Sequence, residues 1–194
     1  MIIYLEGVDG TGKSTLANYI LETLDEVYYP SANIEPIESY NTRPDSKNRM
    51  SKSKLLSTFK RWAKDNTVHI LDRGPLSDIV YRLFDEHEPV LNISEWLDFV
   101  KEYKDRITMI HCNAKSAEIN MIKRGDDNEV SLKYHPIIYR VYNLVFDVIK
   151  KTGVNVVEYD YDKKYSINEL LGEVSYFVYK TCRGGTEYEL DGKM

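Results

Sequence analysis

The segment Gly7-Val8-Asp9-Gly10-Thr11-Gly12-Lys13-Ser14 constrains this chain more than any other. It fits the pattern G-x-x-x-x-G-K-[ST] in full, and its flanks have the required order: apolar Ile2–Glu6 reads as a buried strand, and Lys13 to about Leu24 as a helix. The glycines let the backbone curl until successive N–H groups converge on phosphate oxygens. The positive end of the following helix adds to that field. Lys13 brings a point charge to the outer phosphates of a nucleotide, and the Ser14 hydroxyl is a ligand for Mg²⁺. The plain alternative is a Gly-rich turn that binds nothing, and the strand–turn–helix setting argues against it.

The rest of the chain repeats the alternation of strand and helix. Strands are expected at residues 2–6, 27–29, 68–71, 107–112 and 154–159. Helices are expected over 13–24, 46–64, 76–87, from Asn92 or Ser94 to near Lys104, 116–123, 136–151 with Pro136 in the first turn, and 166–181. Residues 31–45, with Pro36 and Pro44, read as loop; 126–133 reads as a polar, mobile segment and 183–194 as a loose tail. This order predicts an α/β class with a five-stranded parallel sheet flanked by helices on both faces, which accounts for the continuous apolar strands. At 194 residues it is expected to form a single domain over 1–182, with a lid near 123–133.

Composition removes several classes. No run approaches the roughly 20 apolar residues of a membrane span. A net charge of −5 argues against duplex nucleic acid as partner. Cys112 and Cys182 form no Cys-x-x-Cys pair, so a reducing, cytoplasmic setting is expected.

A second chemical signal closes the third strand. Ligands of open α/β sheets sit outside the carboxyl ends of the strands. Asp72, at such an end, is placed to organise Mg²⁺ or an attacking oxygen, and Arg73 presents a planar fork suited to a phosphate. Gly74-Pro75 then turns the chain into a helix. A surface Asp–Arg pair is the bland reading. A GTPase would carry Asp-x-x-Gly here and Asn-Lys-x-Asp later, and neither is present.

Together with Lys123-Arg124-Gly125-Asp126-Asp127-Asn128-Glu129, these motifs resemble the thymidylate kinase family of P-loop nucleoside monophosphate kinases, in a divergent, viral-type form, across roughly residues 1–180. The resemblance implies ATP-dependent phosphorylation of a deoxynucleoside monophosphate, dTMP-like, with ATP and Mg²⁺ as cofactors, a small nucleotide acceptor and a homodimer. It implies that Asp9, Gly10, Thr11, Gly12, Lys13, Ser14, Thr15, Lys123 and Arg124 hold the donor, and that Ser14 and Asp72 hold the metal. Asp9 would meet the acceptor sugar and Arg73 the acceptor phosphate. Lys13, Asp72, Arg73 and Arg124 would carry the transfer. Two departures stand out: Gly74 replaces the family's usual tyrosine, and the family's Phe-x-x-x-Arg base reader is missing. Phe59 and Arg61, with Trp62 beside them, are the available substitutes.

Between Ser46 and Lys64 lie seven basic residues and no acid, either a wall that attracts an anionic acceptor, with Arg49 or Arg61 reaching it, or a solvated helix face. The first option keeps a polynucleotide 5′-kinase open. A deoxynucleoside kinase and a P-loop ATPase are open as well. Trp62 and Trp96 are expected in the core, and His69 and His111 in core hydrogen bonds.

Overall fold

The computed structural model describes residues 1–24, 34–35, 50–84, 87–125, 129–163 and 166–182. Its sheet is parallel throughout, with strands β1 (Ile2–Glu6), β2 (Ile34–Glu35), β3 (Val68–Asp72), β4 (Ile107–Asn113) and β5 (Asn155–Asp160) in the spatial order β2-β3-β1-β4-β5. Four strands carry the sheet, and β2 adds only two residues at one edge. The helices are α1 (Lys13–Thr23), α2 (Lys52–Lys64), α3 (Pro75–Tyr81), α4 (Ile93–Glu102), α5 (Ala117–Arg124), α6 (Glu129–Lys150) and α7 (Ser166–Cys182).

Strand alternation divides the interior into two cores. Ile3 and Leu5 of β1, with Ile70, Ile110 and Val157, face α1 and α7, meeting Leu16, Ile20, Leu170 and Val174. Ile2 and Tyr4, with Leu71 and Met109, face α2, α3, α4 and α6, meeting Phe59, Trp62, Trp96, Tyr142 and Phe146. Both faces are therefore dry, as a parallel sheet requires. Tyr4 sits edge-on to Phe59 and Trp96 at 5.9 and 5.1 Å between ring centroids, the arrangement aromatic quadrupoles favour. His69 bonds to Asp65 at 3.1 Å while stacked on Trp62, and His111 meets Glu158 at 3.0 Å while stacked on Phe146.

Several boundaries differ from the sequence expectation. The strand expected at 27–29 lies outside the described residues; Ile34–Glu35, read as loop, instead pairs with Val68 and His69. Helix α2 starts at Lys52 rather than 46, because Ser51 is extended and its hydroxyl accepts from the Lys54 amide. Helix α3 ends at Tyr81 and gives way to a 3₁₀ turn, Arg82–Phe84, instead of reaching 87. Helix α6 begins at Glu129, seven residues ahead of Pro136, which sits exposed inside it. A proline removes one donor from a helix; on the solvent side this is tolerated when the neighbouring face is packed. Residues 126–128 of the expected lid and the tail 183–194 lie outside the described residues.

Part of the basic run on α2 is paired with α4 and with Tyr103 just beyond it. Lys52 is paired with Glu95, Lys60 with Glu102 at 3.7 Å, and Lys64 lies over the Tyr103 ring. The solvated-face reading fits these partners better than an acceptor-attracting wall.

Because β1 lies between β3 and β4, its carboxyl end opens at the point where the chain's path across the sheet reverses, the usual place for a ligand in such folds. The turn after it is held very close to β4. A methyl group on Gly7, whose φ is +152°, would stand 2.1 Å from the Cys112 carbonyl oxygen. Gly7→Ala is therefore expected to destabilise the fold by more than about 2 kcal/mol. Gly172→Ala, in the open middle of α7 where a methyl meets nothing within 4 Å, should stabilise it by up to about 1 kcal/mol. Urea denaturation of the two variants reads both effects.

Candidate active site

Four parts of the chain build the site: the turn after β1, the first helical turn of α1, the end of β3, and the end of α5. Asp9, Gly10, Gly12, Lys13, Ser14, Thr15, Asp72, Arg73 and Arg124 line one cavity of about 80 Å³. That space suits a phosphoryl group, with the remainder of a larger ligand lying outside. Gly10 and Gly12 have φ of +84° and +74°, a region side chains rarely adopt. Their neighbours leave no room either: a methyl on Gly10 would lie 2.1 Å from the Ala117 carbonyl, and one on Gly12 would lie 2.5 Å from the Tyr161 ring.

The Lys13 side chain folds back over this turn. Its ammonium donates to the Val8 carbonyl at 2.6 Å and to the Thr11 hydroxyl at 3.3 Å, and that hydroxyl in turn donates to Val8. Burial pushes the Lys13 ammonium below its ordinary pKa, while nearby Asp72 and Glu6 oppose the shift. A polyanion in the cavity would supply the counter-charge that a buried ammonium lacks.

Ser14 and Asp72 face each other across the cavity floor, the serine hydroxyl donating to Asp72 Oδ2. The second carboxylate oxygen, Oδ1, is buried and has no hydrogen-bond partner. A hydroxyl beside an unsatisfied carboxylate oxygen is a donor set that suits a hard divalent cation.

Arg73 continues the sheet ladder, its amide donating to the Leu5 carbonyl at 3.0 Å, yet it has a φ of +77°. For a residue with a Cβ this backbone costs on the order of 1 kcal/mol or more, and such strain concentrates at ligand sites. Its guanidinium is ion-paired with Asp9 and lies 5.4 Å from the centre of the Tyr81 ring. Asp9 also accepts from the Tyr81 hydroxyl at 2.9 Å and from Ser131 at 2.5 Å. The acid of the phosphate loop is thus held by donors from the β3–α3 turn, from α3 and from α6.

Beneath this knot lies Glu6, fully buried at the end of β1. It accepts from the Gly74 amide at 2.7 Å and from the Ser77 hydroxyl at 2.6 Å, and so caps α3. A methyl on Gly74 would stand 2.6 Å from both Glu6 and Tyr4. The space that a side chain would need at Gly74 is filled from below.

The remaining candidates separate. Thr15 and Arg124 line the cavity; Thr11 shapes it from beneath; Lys123 is exposed and does not line it. Phe59 is fully buried in the core beside Trp62 and Trp96, so it is not available to stack on a base. Arg61 is on the exposed face of α2 and does not line the cavity, and Arg49 lies outside the described residues. Tyr81, Ser131 and Glu6 belong to the site and were not singled out from the sequence. The first had a signal: with Pro75 opening α3, residues 74, 77 or 78, and 81 fall on one helix face.

No protein-family model matches the chain. It is 26% identical over 160 residues to a protein of Acidianus bottle-shaped virus (isolate Italy/Pozzuoli) named "Putative thymidylate kinase", a match spanning 81% of this chain and 93% of the viral one. Among solved structures it resembles the YorR protein of Bacillus subtilis, crystallised in complex with phosphorylated GDP (22% identity, TM-score 0.64, covering 93% of this chain and 96% of that one). It also resembles deoxyadenosine kinase from M. mycoides with bound dATP (16% identity, TM-score 0.55, covering 90% and 99%). The fold is that of the P-loop nucleotide kinases.

Burial pushes the Glu6 carboxyl up to about 6, against the Ser77 and Gly74 hydrogen bonds and the Arg73 charge that pull it down. The folded chain then holds this proton more tightly than the unfolded chain, whose carboxyl titrates near 4.5, so stability is lost as pH rises from 4.5 through 6. Relative to Glu6→Gln, the wild-type protein should lose about 2 kcal/mol across that window. Urea denaturation at a series of pH values measures it, and parallel profiles would remove Glu6 as the cause.

Proposed function

We propose that this protein transfers the terminal phosphoryl group of ATP to a deoxynucleoside monophosphate, with dTMP as the leading acceptor, and works with Mg²⁺. One observation carries the reading: a phosphate loop and an arginine poised for a second anion line the same small cavity, 80 Å³ in extent. Hydrolysis by water needs no second anion site. The name of the viral relative supports the same substrate class.

In this reading the donor's phosphates lie on the loop amides from Gly10 to Thr15, with the Lys13 ammonium turning from Val8 to the outer phosphates. Ser14 and Asp72 would hold the metal, which when bound neutralises charge on the donor's phosphates. Arg73 exchanges Asp9 for the acceptor phosphate, a bidentate pairing that fixes the attacking oxygen. Asp9 and Tyr81, freed from that pairing, meet the acceptor sugar. Arg124, at the end of α5, closes from the lid side, with Lys123 beside it. Closure keeps water from competing for the phosphoryl group. A homodimer, implied by the family resemblance, would have an apolar strip on α6 available, where Ile137, Leu144 and Val148 are 52%, 65% and 46% exposed.

A second reading, a deoxynucleoside kinase, has its own observation. A sugar hydroxyl needs a general base, and Glu6, raised to about 6, is a carboxylate with a fitting pKa next to Arg73. Its two oxygens, however, are taken by Gly74 and Ser77, and it is fully buried. The monophosphate, already ionised near neutral pH, needs no such base, and is preferred here.

Purified protein with ATP and Mg²⁺ should phosphorylate dTMP or another deoxynucleoside monophosphate. Thymidine, deoxyadenosine and a 5′-hydroxyl oligonucleotide should stay unmodified. Lys13→Ala and Arg73→Ala should each lower transfer by about a thousandfold while leaving the far-ultraviolet spectrum unchanged. Near-normal turnover in both variants, or ATP hydrolysis indifferent to every acceptor, refutes the assignment.

A further inference from the structure

Helix α5 does more than bring a cation to the cavity. Its first residue, Ala117, presses on the loop so closely that Gly10 has no space for a methyl group. Three residues on, the Asn120 side-chain amide donates to the Gly10 carbonyl at 3.1 Å. The same amide nitrogen reaches the Ser116 hydroxyl at 3.0 Å, and Ser116 is anchored in turn, its amide donating to Asp162 at 3.1 Å and its hydroxyl to the other oxygen of that carboxylate. A chain of hydrogen bonds therefore runs from the loop beyond β5, through α5, to one peptide of the phosphate loop.

We infer that Asn120 is a positioning residue for the donor nucleotide: it sets the Gly10–Thr11 peptide and indexes α5 so that Arg124 reaches the donor phosphates. In a trans peptide the carbonyl and the following N–H point in opposite directions. With the Gly10 carbonyl drawn to Asn120, the direction of the Thr11 N–H is fixed, away from α5 and between the two glycines, Gly10 and Gly12, that line the cavity. Arg124 stands four residues beyond Asn120, on the same helix face, and lines the cavity. One side chain thus aligns an amide and a guanidinium on the same anion. The acceptor side, built from Asp9, Arg73 and Tyr81, has no contact with Asn120 among these bonds. This inference rests on the kinase reading above and adds to it a residue that neither the motif nor the resemblance singles out.

The test uses two variants and two ligands. Asn120→Ala removes the donor. Asn120→Asp keeps the shape but replaces the donating nitrogen, so it faces both the Gly10 carbonyl and the Ser116 hydroxyl with an oxygen. Dissociation constants are measured for a fluorescent ATP analogue with Mg²⁺ and for dTMP, together with the melting temperature. Asn120→Ala should weaken the ATP analogue about fivefold, the loss of one such hydrogen bond, and Asn120→Asp about tenfold or more. The dTMP constant should stay at its wild-type value, and the melting temperature should fall by no more than about 4 °C. Wild-type affinity for the analogue in both variants overturns the inference, as does a parallel loss of both ligands and of thermal stability. Wild-type protein that binds no ATP analogue overturns the kinase reading itself and this inference with it.

Discussion

The close approach of neighbours to three glycines that leave no room for a side chain governs the layout of this site. Gly7 lies against the Cys112 carbonyl of β4, Gly10 against the Ala117 carbonyl of α5 and Gly12 against the Tyr161 ring beyond β5. Only with three neighbours pressed this close can the turn after β1 curl tightly enough for its amides to converge. The neighbours arrive from two distant parts of the sequence, the β4–α5 stretch and the turn beyond β5. The loop's shape is thus a property of the finished sheet, in which β1 lies between β3 and β4, and not of eight residues alone.

The charges obey a similar economy. Three charged groups expected to meet a ligand have internal partners: Lys13 has the Val8 carbonyl, Asp72 has Ser14, and Arg73 has Asp9. A buried charge without a partner is costly, so these pairings hold the site together before a ligand arrives. In the kinase reading proposed above, a donor triphosphate facing an acceptor phosphate would replace both Val8 and Asp9 as partners, whereas a ligand with one anion would displace only one of them.

Much of this was legible in the sequence, for identifiable reasons. The phosphate loop and the Asp72-Arg73 pair were readable because both sit at strand ends, where apolar runs stop abruptly at charged or Gly-rich residues. Trp62, Trp96, His69 and His111 went to the core as their apolar neighbours indicated. What was not legible depended on long-range packing. Phe59 was a candidate base reader on type and position, but its helix turns it toward Tyr4 and Trp96. Ser131 was hidden by Pro136: a proline is favoured in a first helical turn, so the helix was expected to begin there, whereas burial of Ser131 and His135 and packing of Tyr134 on the core carry it back to Glu129. Asn120 gave no signal, because a side-chain amide on a short polar helix is ordinary until its partner is known.

Glu6 shows how the two halves of the site are made into one. Arg73 holds a backbone conformation that residues with a Cβ avoid, and something must hold it there. From one side the Leu5 carbonyl takes the Arg73 amide; from the other, Glu6 takes the next amide, that of Gly74. Adjacent residues of β1 therefore clamp adjacent residues beyond β3, and the same strand leads directly into the phosphate loop at Gly7. Any shift of the loop along β1 would move Arg73 with it, so the spacing between the phosphate loop and the arginine is set by one strand end. Gly74 is the residue that permits this, since any side chain there would displace the Glu6 carboxylate from beneath the arginine. A member of this fold with a bulky residue at that point would have to fix its arginine in another way. For that reason the glycine and the buried acid are best regarded as a single adaptation.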